Sequence, residues 1–348
     1  MKWCSFIRNF VVDSHKQQQV LLTKLSSLLQ CNKNDVEKLL ATSRKMKLKE
    51  QNRIMDSAQF LLEQKISPES VLENPWLLLQ TEDSLREKLI SIHDMNPWEL
   101  PDFVPLMRIT QFGLQKLVRK YRSERKFIPG GHRVYFLSSR LGVQPKIISK
   151  HLSTRQFMFN IPFKSLSSVL SVMMKYNIAP MDILRDLWVF RYNPEALELR
   201  LGRAKEASVE KSMPWMARCT VPVFEKHLQI SEDTRAVLGE NRTTVEYLSE
   251  RLGYDVDTMR EITSRRPAIL RVRMTKIKEF LDFLLLEAGF TPRDLVRVPQ
   301  ILTHSIETTR MRLKELKQHG CVPTSLSIVC LSQRNYQKFL HRWINKND

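Results

Sequence analysis

The chain has 348 residues, 56 of them Lys or Arg against 37 Asp or Glu, and carries a formal charge of +19. Only nine glycines stand beside plentiful Leu, Lys, Arg, Glu and Met, a balance that favours helices over tight-turned β architectures. Five scattered cysteines (Cys4, Cys31, Cys219, Cys321, Cys330) make no disulfide framework, no Cys/His pair has metal-ligand spacing, and no apolar run reaches membrane-spanning length.

At the N-terminus, Lys2 and Arg8 interleave with Trp3, Phe6, Ile7 and Phe10, and the first acid is Asp13. This pattern fits either a short mitochondrial presequence or an ordinary frayed terminus. Residues 1–30 are read as an extension, 31–342 as an array of about nine helical repeats, and 343–348 as a tail. The repeat shows first in two segments: Lys65-Ile66-Ser67-Pro68 running to Asn74-Pro75-Trp76-Leu77-Leu78, and Gly289-Phe290-Thr291-Pro292 running to Val298-Pro299-Gln300-Ile301-Leu302. Both prolines, the Ser or Thr before the first, and the paired apolar positions coincide. Further copies open at Pro145 and Pro180, with Gln156 and Leu187 where the second proline would stand. Units of roughly 30–38 residues then begin near 34, 68, 97, 145, 180, 256, 292 and 323, with a degenerate one around 218. The stretch 112–132, ending in Ile128-Pro129-Gly130-Gly131, is expected to be a loop insertion.

Each unit reads as helix, turn, helix and short third element. In the clearest, Ile277, Phe280, Leu281, Leu284, Leu285 and Ala288 recur at helical spacing and give one apolar face. Gly289 supplies a left-handed stop, Thr291 an N-cap, and Pro292 a first helical residue whose missing N–H costs nothing. Pro299 ends the second helix, because the residue before a proline is pushed out of the α region. Ile301 and Leu302 then form a short 3₁₀ element that packs back. Helices this short are marginal alone, so neighbouring units must stack. The expected fold is all-α, a solenoid of helix–helix–3₁₀ repeats.

The charge is not evenly spread. No acid occurs from Arg125 to Met181, or from Ile262 to Lys278, whereas acids gather at 63–87 and 225–261. A polyanion-binding face has this form; a solvated surface usually mixes signs along each helix. Arg108, Arg191 and Arg271 each fall three or four residues after the second proline position, in or just after the third element. One register filled by Arg lines one edge of the array with groups that bind phosphate bidentately. The candidate phosphate or base contacts are Arg108, Arg140, Lys146, Arg155, Arg191, Arg203, Arg266, Arg271 and Arg273. Phe157 and Tyr192 lie beside these arginines, and are either stacking partners for an unpaired base or core residues at unit junctions.

No phosphate-binding glycine loop, dinucleotide fingerprint or nucleophile elbow occurs, and His93, His132, His151 and His227, which are expected on the surface or in a groove, have no visible nucleophile. The expectation is a protein that is not an enzyme and uses no cofactor or metal.

The glycine–x–x–proline opening and the proline–x–isoleucine/leucine–leucine closing resemble the mTERF motif, the repeat of the mitochondrial transcription termination factor family. The resemblance covers about residues 30 to 342. It is sharpened by Asn74-Pro75-Trp76-Leu77-Leu78, Asp186-Leu187-Trp188-Val189-Phe190-Arg191-Tyr192, Met213-Pro214-Trp215-Met216-Ala217-Arg218-Cys219 and Arg273-Met274-Thr275-Lys276-Ile277-Lys278-Glu279. It implies a left-handed superhelix of triangular three-helix units, a mitochondrial matrix location, and binding of double-stranded mitochondrial DNA that pauses or terminates transcription. The implied partner is DNA, bound by a monomer that stalls mitochondrial RNA polymerase, with no membrane association. Two other readings stay open: mitochondrial ribosomal RNA binding in ribosome assembly, as in other members, and a helical scaffold for an acidic protein partner.

Overall fold

The computed structural model describes residues 19–42 and 51–347, which are helices joined by turns, with no strand among the described residues. Two compact units are present. One comprises the described residues up to Leu201 together with Ser212–Arg218; the other comprises Gly202–Lys211 and the residues from Cys219 onward. The presequence reading falls on residues 1–18, outside the described residues.

In the first unit the helix–helix–3₁₀ motif recurs as predicted. Gln51–Glu63, Pro68–Glu73 and Pro75–Leu79 form one copy, and Glu82–His93, Leu100–Phe103 and Val104–Arg108 the next. Arg133–Leu141, Pro145–Thr154 and Gln156–Phe159 follow, then Phe163–Lys175, Pro180–Arg185 and Leu187–Arg191. In the second unit Thr244–Leu252, Val256–Arg265 and Ile269–Arg271 precede Met274–Asp282, Pro292–Arg297 and Pro299–Thr303. Pro68, Pro145, Pro180 and Pro292 each start a helix, where proline's fixed φ and missing N–H are both tolerated. Ser67 caps one of these, its hydroxyl accepting from the Ser70 N–H at 3.2 Å. Thr291 and Asp294 form a capping box, in which the carboxylate accepts from the Thr291 N–H at 2.9 Å and from its hydroxyl at 2.7 Å. Gly289 stands at φ +72, the left-handed stop that its place after the first helix demands.

The joint between second helix and third element has one conformation throughout. Asn74, Arg155, Asp186, Arg266 and Val298 all lie near φ −130°, ψ 60° (φ −124 to −137, ψ 58 to 65). Three of the five precede a proline, which forbids α geometry there. The other two, Arg155 and Asp186, precede Gln156 and Leu187 and adopt the same angles. Packing of the third element therefore sets this bend, and proline only favours it. Side chains of that element supply core: Leu77, Leu78, Leu106, Met107, Met158, Val189, Phe190, Ile269, Ile301 and Leu302 are all buried. Each such Leu, Ile or Phe contributes about 1.5–3 kcal/mol.

A second recurrent device was not legible in the sequence. The end of a 3₁₀ element, short helix or turn leaves carbonyls without partners, and a cation on a preceding helix donates to them. Lys88 Nζ reaches Met107 O at 2.8 Å, and Arg133 Nη1 reaches Met158 O at 2.7 Å. Arg200 Nη1 donates to Met216 O and Ala217 O at 3.1 and 3.0 Å, and Arg312 Nη1 to Val329 O and Leu331 O at 2.8 and 2.6 Å. Lys88, Arg133 and Arg312 are buried. Burial pulls the Lys88 ammonium below its usual pKa.

Several expectations are corrected. The stretch read as a loop over 112–132 is mostly the helix Gln111–Glu124, with turns only at 125–132. Its Leu114, Leu117 and Val118 are buried against the preceding repeat. Residues 19–28 are helical rather than extension, with Leu21, Leu22 and Leu25 buried. Residues 343–347 continue the helix Gln333–Asn347. No helix begins near 323, where a series of turns stands instead. His132 is buried rather than on the surface, its Nδ1 accepting from the Val134 N–H at 3.1 Å.

Candidate nucleic-acid interface

Arg108, Arg191 and Arg271 occupy one structural position. Each is the last residue of its 3₁₀ element, and each is exposed. The next residue's N–H closes the turn each time: Ile109 to Leu106 O, Tyr192 to Val189 O and Val272 to Ile269 O, at 2.9 to 3.1 Å. Burial of the preceding apolar residues holds the backbone, so the arginine is presented from a rigid element. None of the three has a carboxylate partner among the described residues. A guanidinium so placed can make two parallel hydrogen bonds to one phosphate.

Third elements of neighbouring repeats lie side by side within each unit. Pro75–Leu79 packs on Val104–Arg108 in the first, and Ile269–Arg271 on Pro299–Thr303 in the second. Pro145–Thr154 packs on the element that ends at Arg108. This brings Arg108 and Lys150 to one cavity of about 300 Å³, walled by Trp76, Pro75 and Pro105 with Glu73 at its rim. Lys150 thereby joins the candidate set; its place in the acid-free run was the only signal for it.

Arg155 and Arg266 share the second register, the bend before the third element, and both are exposed. Arg140, in the last turn of Arg133–Leu141, and Arg273, at the N-cap of Met274–Asp282, are exposed without an ion pair among the described residues. Two candidates are already engaged. Lys146 pairs with Glu73 at 3.1 Å, half exposed, a contact that water screens heavily. Arg203 makes a bidentate pair with Glu225, both bonds 2.8 Å, and lies 5.5 Å from the Phe224 ring. A phosphate would have to displace that fork. Arg133, central to the acid-free run, is removed from the surface by Glu124, which accepts from Nε and Nη2 at 2.8 and 2.7 Å. Burial alone would raise the Glu124 carboxyl, but hydrogen bonds from Arg133 and Lys120 outweigh it and hold the pKa below the usual range.

Phe159 and Phe190, the aromatic residues next to the two candidates, are core. Phe157 is half-buried, its ring stacked on Trp188 at 4.6 Å, and the Arg191 guanidinium carbon sits 4.4 Å from each centroid. Trp188 and Tyr192 are each 41% exposed and are the rings of this cluster most open to a ligand. Trp188 sat inside the Leu187–Arg191 string without a distinguishing signal, because sequence alone does not say which face of a 3₁₀ turn is covered.

The local field is positive. Burial, then the charges of Lys150, Arg185 and Arg155, lower the His151 pKa, against the backbone hydrogen bond at Leu184 that raises it. Among the described residues no cluster of three or more His, Cys, Asp or Glu could hold a metal, and no helix is long and apolar enough to cross a membrane.

Stacked helix–helix–3₁₀ units that present one cationic position in register define an all-α repeat protein. The mTERF family model matches residues 2–340, and the chain belongs to that family. The mitochondrial transcription termination factor of Drosophila melanogaster is 44% identical over 292 residues, spanning 84% of this chain and 70% of the relative.

Proposed function

We propose that this chain acts in mitochondria by binding duplex mitochondrial DNA at a specific site and halting transcription there. The observation that carries the reading is the exposed arginine, without a carboxylate partner among the described residues, that ends the third element in three repeats, Arg108, Arg191 and Arg271. The similar Drosophila protein, a mitochondrial transcription termination factor, suggests the process. Arginines in register neutralise phosphates and fix the protein on the duplex; fewer side chains read base edges. The protein works as a monomer in the matrix, and an advancing RNA polymerase stalls if dissociation is slow against its arrival.

The test is Arg155→Glu, Arg191→Glu and Arg271→Glu combined. Arg155 and Arg271 are exposed, and Arg191 stacks only on the Phe157–Trp188 pair. The circular dichroism of the variant should therefore match the parent, and its melting should fall only by what that stacking is worth, about 0.5–2 kcal/mol. Affinity for a footprinted mitochondrial DNA site should fall at least about 100-fold, and readthrough by mitochondrial RNA polymerase should rise in parallel. Unchanged affinity removes these residues from the interface. Enrichment of ribosomal RNA over DNA in cross-linking from intact mitochondria would replace the DNA reading with an RNA one.

A further inference from the structure

The second unit holds a groove that the DNA reading does not use. It lies between the end of one repeat's first helix and the following repeat, with a volume of about 610 Å³, within the range of about 300–1,000 Å³ typical of binding cavities. Phe283, Phe290 and Leu313 line it, together with Cys321, Val322 and Pro323. The helix Met274–Asp282 continues into a π-helical turn, Phe283–Glu287, with the Ala288 N–H bonding back to Phe283 O at 2.9 Å. Such an extra residue in a turn often marks a functional position. Val322, at the groove's lip, is 82% exposed and so within reach of a ligand in the groove.

The rim is cationic and linear. Arg310, Lys314 and Lys317 recur on one face of Ile306–Gln318, all exposed. Arg310 is met by Glu287 at 3.3 Å, and the other acid of the rim, Asp294, is held by Thr291. Lys314 and Lys317 have no carboxylate partner among the described residues. Seven residues separate Arg310 from Lys317, about 10.5 Å along the axis, the length of two turns of a partner helix.

We propose that this groove docks an amphipathic helix of a partner protein, one that carries carboxylates beside its apolar stripe. Leucine-like side chains enter between Phe283, Phe290 and Leu313, while acids spaced over two turns meet the three cations. Cations strung along a line suit a helix, whereas a single lipid headgroup would want them gathered round a point. Within this unit the groove opens at Phe283, at the far end of the helix that begins beside Arg273, about 15 Å of helical rise away. Helix docking and phosphate contact at Arg271 and Arg273 therefore do not compete for the same surface.

The experiment uses the full chain and a fluorescein-labelled helical peptide of about sixteen residues, with leucine at heptad positions a and d and glutamate at e and g. Fluorescence anisotropy should show saturable binding. Lys314→Glu with Lys317→Glu should weaken it at least about tenfold, and a lysine version of the peptide should bind this variant better than the parent. Val322→Asp should also weaken the glutamate peptide, while retardation of the DNA site stays at parental affinity in both variants. Absent binding, or binding indifferent to these changes, overturns the proposal. So does a concentration-dependent dimer in sedimentation that Val322→Asp abolishes, which would give the groove to a second copy. Co-flotation with cardiolipin vesicles that the same substitution abolishes would give it to lipid.

Discussion

Arg133 is worth more to the fold than its charge suggests. Its guanidinium satisfies a carbonyl at the end of a 3₁₀ element and both oxygens of Glu124 at once, buried to 3% exposure. Deleting it leaves the Met158 carbonyl without its donor and the part-buried Glu124 held by Lys120 alone, 2.8 Å away, at a cost of about 1–3 kcal/mol. Arg133→Met should lower the urea midpoint accordingly, and Arg133→Lys should recover only part of the loss, because a point charge cannot match the planar fork. Equal stability of parent and Arg133→Met would show that the bonds contribute nothing net. Its neighbour His132 gives the chain a pH dependence. Burial first, then the Arg133 charge, push the imidazole down to about 3 from an ordinary 6.5. Between those values the unfolded chain binds a proton that the folded chain refuses. Stability is therefore full above pH 6.5 and falls by about 1.4 kcal/mol for each unit below it, until the folded imidazole titrates. His132→Asn keeps a side-chain oxygen to cap the Val134 N–H but cannot titrate. It should melt lower than the parent at pH 7.5, from lost contact with the Phe103 ring 4.6 Å away, yet lose less further stability by pH 5. A variant whose melting temperature falls as steeply with acid as the parent's would place the dependence elsewhere.

At the scale of the element, Gly113 shows how a helix can hide from a sequence reading. A Cβ there would stand 2.6 Å from Ile109 Cγ2 and 3.2 Å from Thr110 Oγ1. Ile109 is buried and β-branched, so its methyl has nowhere to turn. Gly113→Ala gains about 1 kcal/mol of helix propensity but must displace packed core, which typically costs about 1–3 kcal/mol. The variant should be destabilised on balance, as thermal melting would show; a stabilised variant would mean that the repeat junction yields easily. A glycine in the first turn, followed by a polar, proline-ended stretch, resembles a loop, although Leu114, Leu117, Val118 and Tyr121 keep helical spacing. Helix starts were legible at Pro68, Pro145, Pro180 and Pro292 because proline acts on its own backbone, without help from tertiary structure. The third elements at Gln156 and Leu187 were legible only through their neighbours in the repeat, since packing sets their bend. The register of Arg108, Arg191 and Arg271 followed from counting residues after that bend. Engagement of Arg203 by Glu225, or of Arg133 by Glu124, could not be read from local sequence, because the paired residues lie 22 and 9 positions apart on different helices.

For the whole molecule, what matters is how much of the +19 charge reaches a ligand. Lys88, Arg133 and Arg312 are spent inside the fold, and Arg203 is held by a carboxylate fork. Candidates without a carboxylate partner among the described residues remain in both units: Arg108, Arg140, Arg155 and Arg191 in the first, Arg266, Arg271 and Arg273 in the second. With Lys146 and Lys150 able to join them, about 8–10 phosphates come within their capacity. Counterion release then sets the slope of log K against log salt at roughly −7 to −9 on duplex DNA. A slope near zero would sink the electrostatic account as a whole. The variants divide it further. Replacing Arg266, Arg271 and Arg273 together with Gln should make the slope less negative by about 2.7, three contacts at about 0.9 each. Arg203→Gln should shift it by less than about 0.5, because a phosphate competes there against two bonds to Glu225. If the triple variant leaves the slope untouched while Arg155→Gln and Arg191→Gln reduce it, only the first unit grips the backbone, and the arginine register of the second has another use.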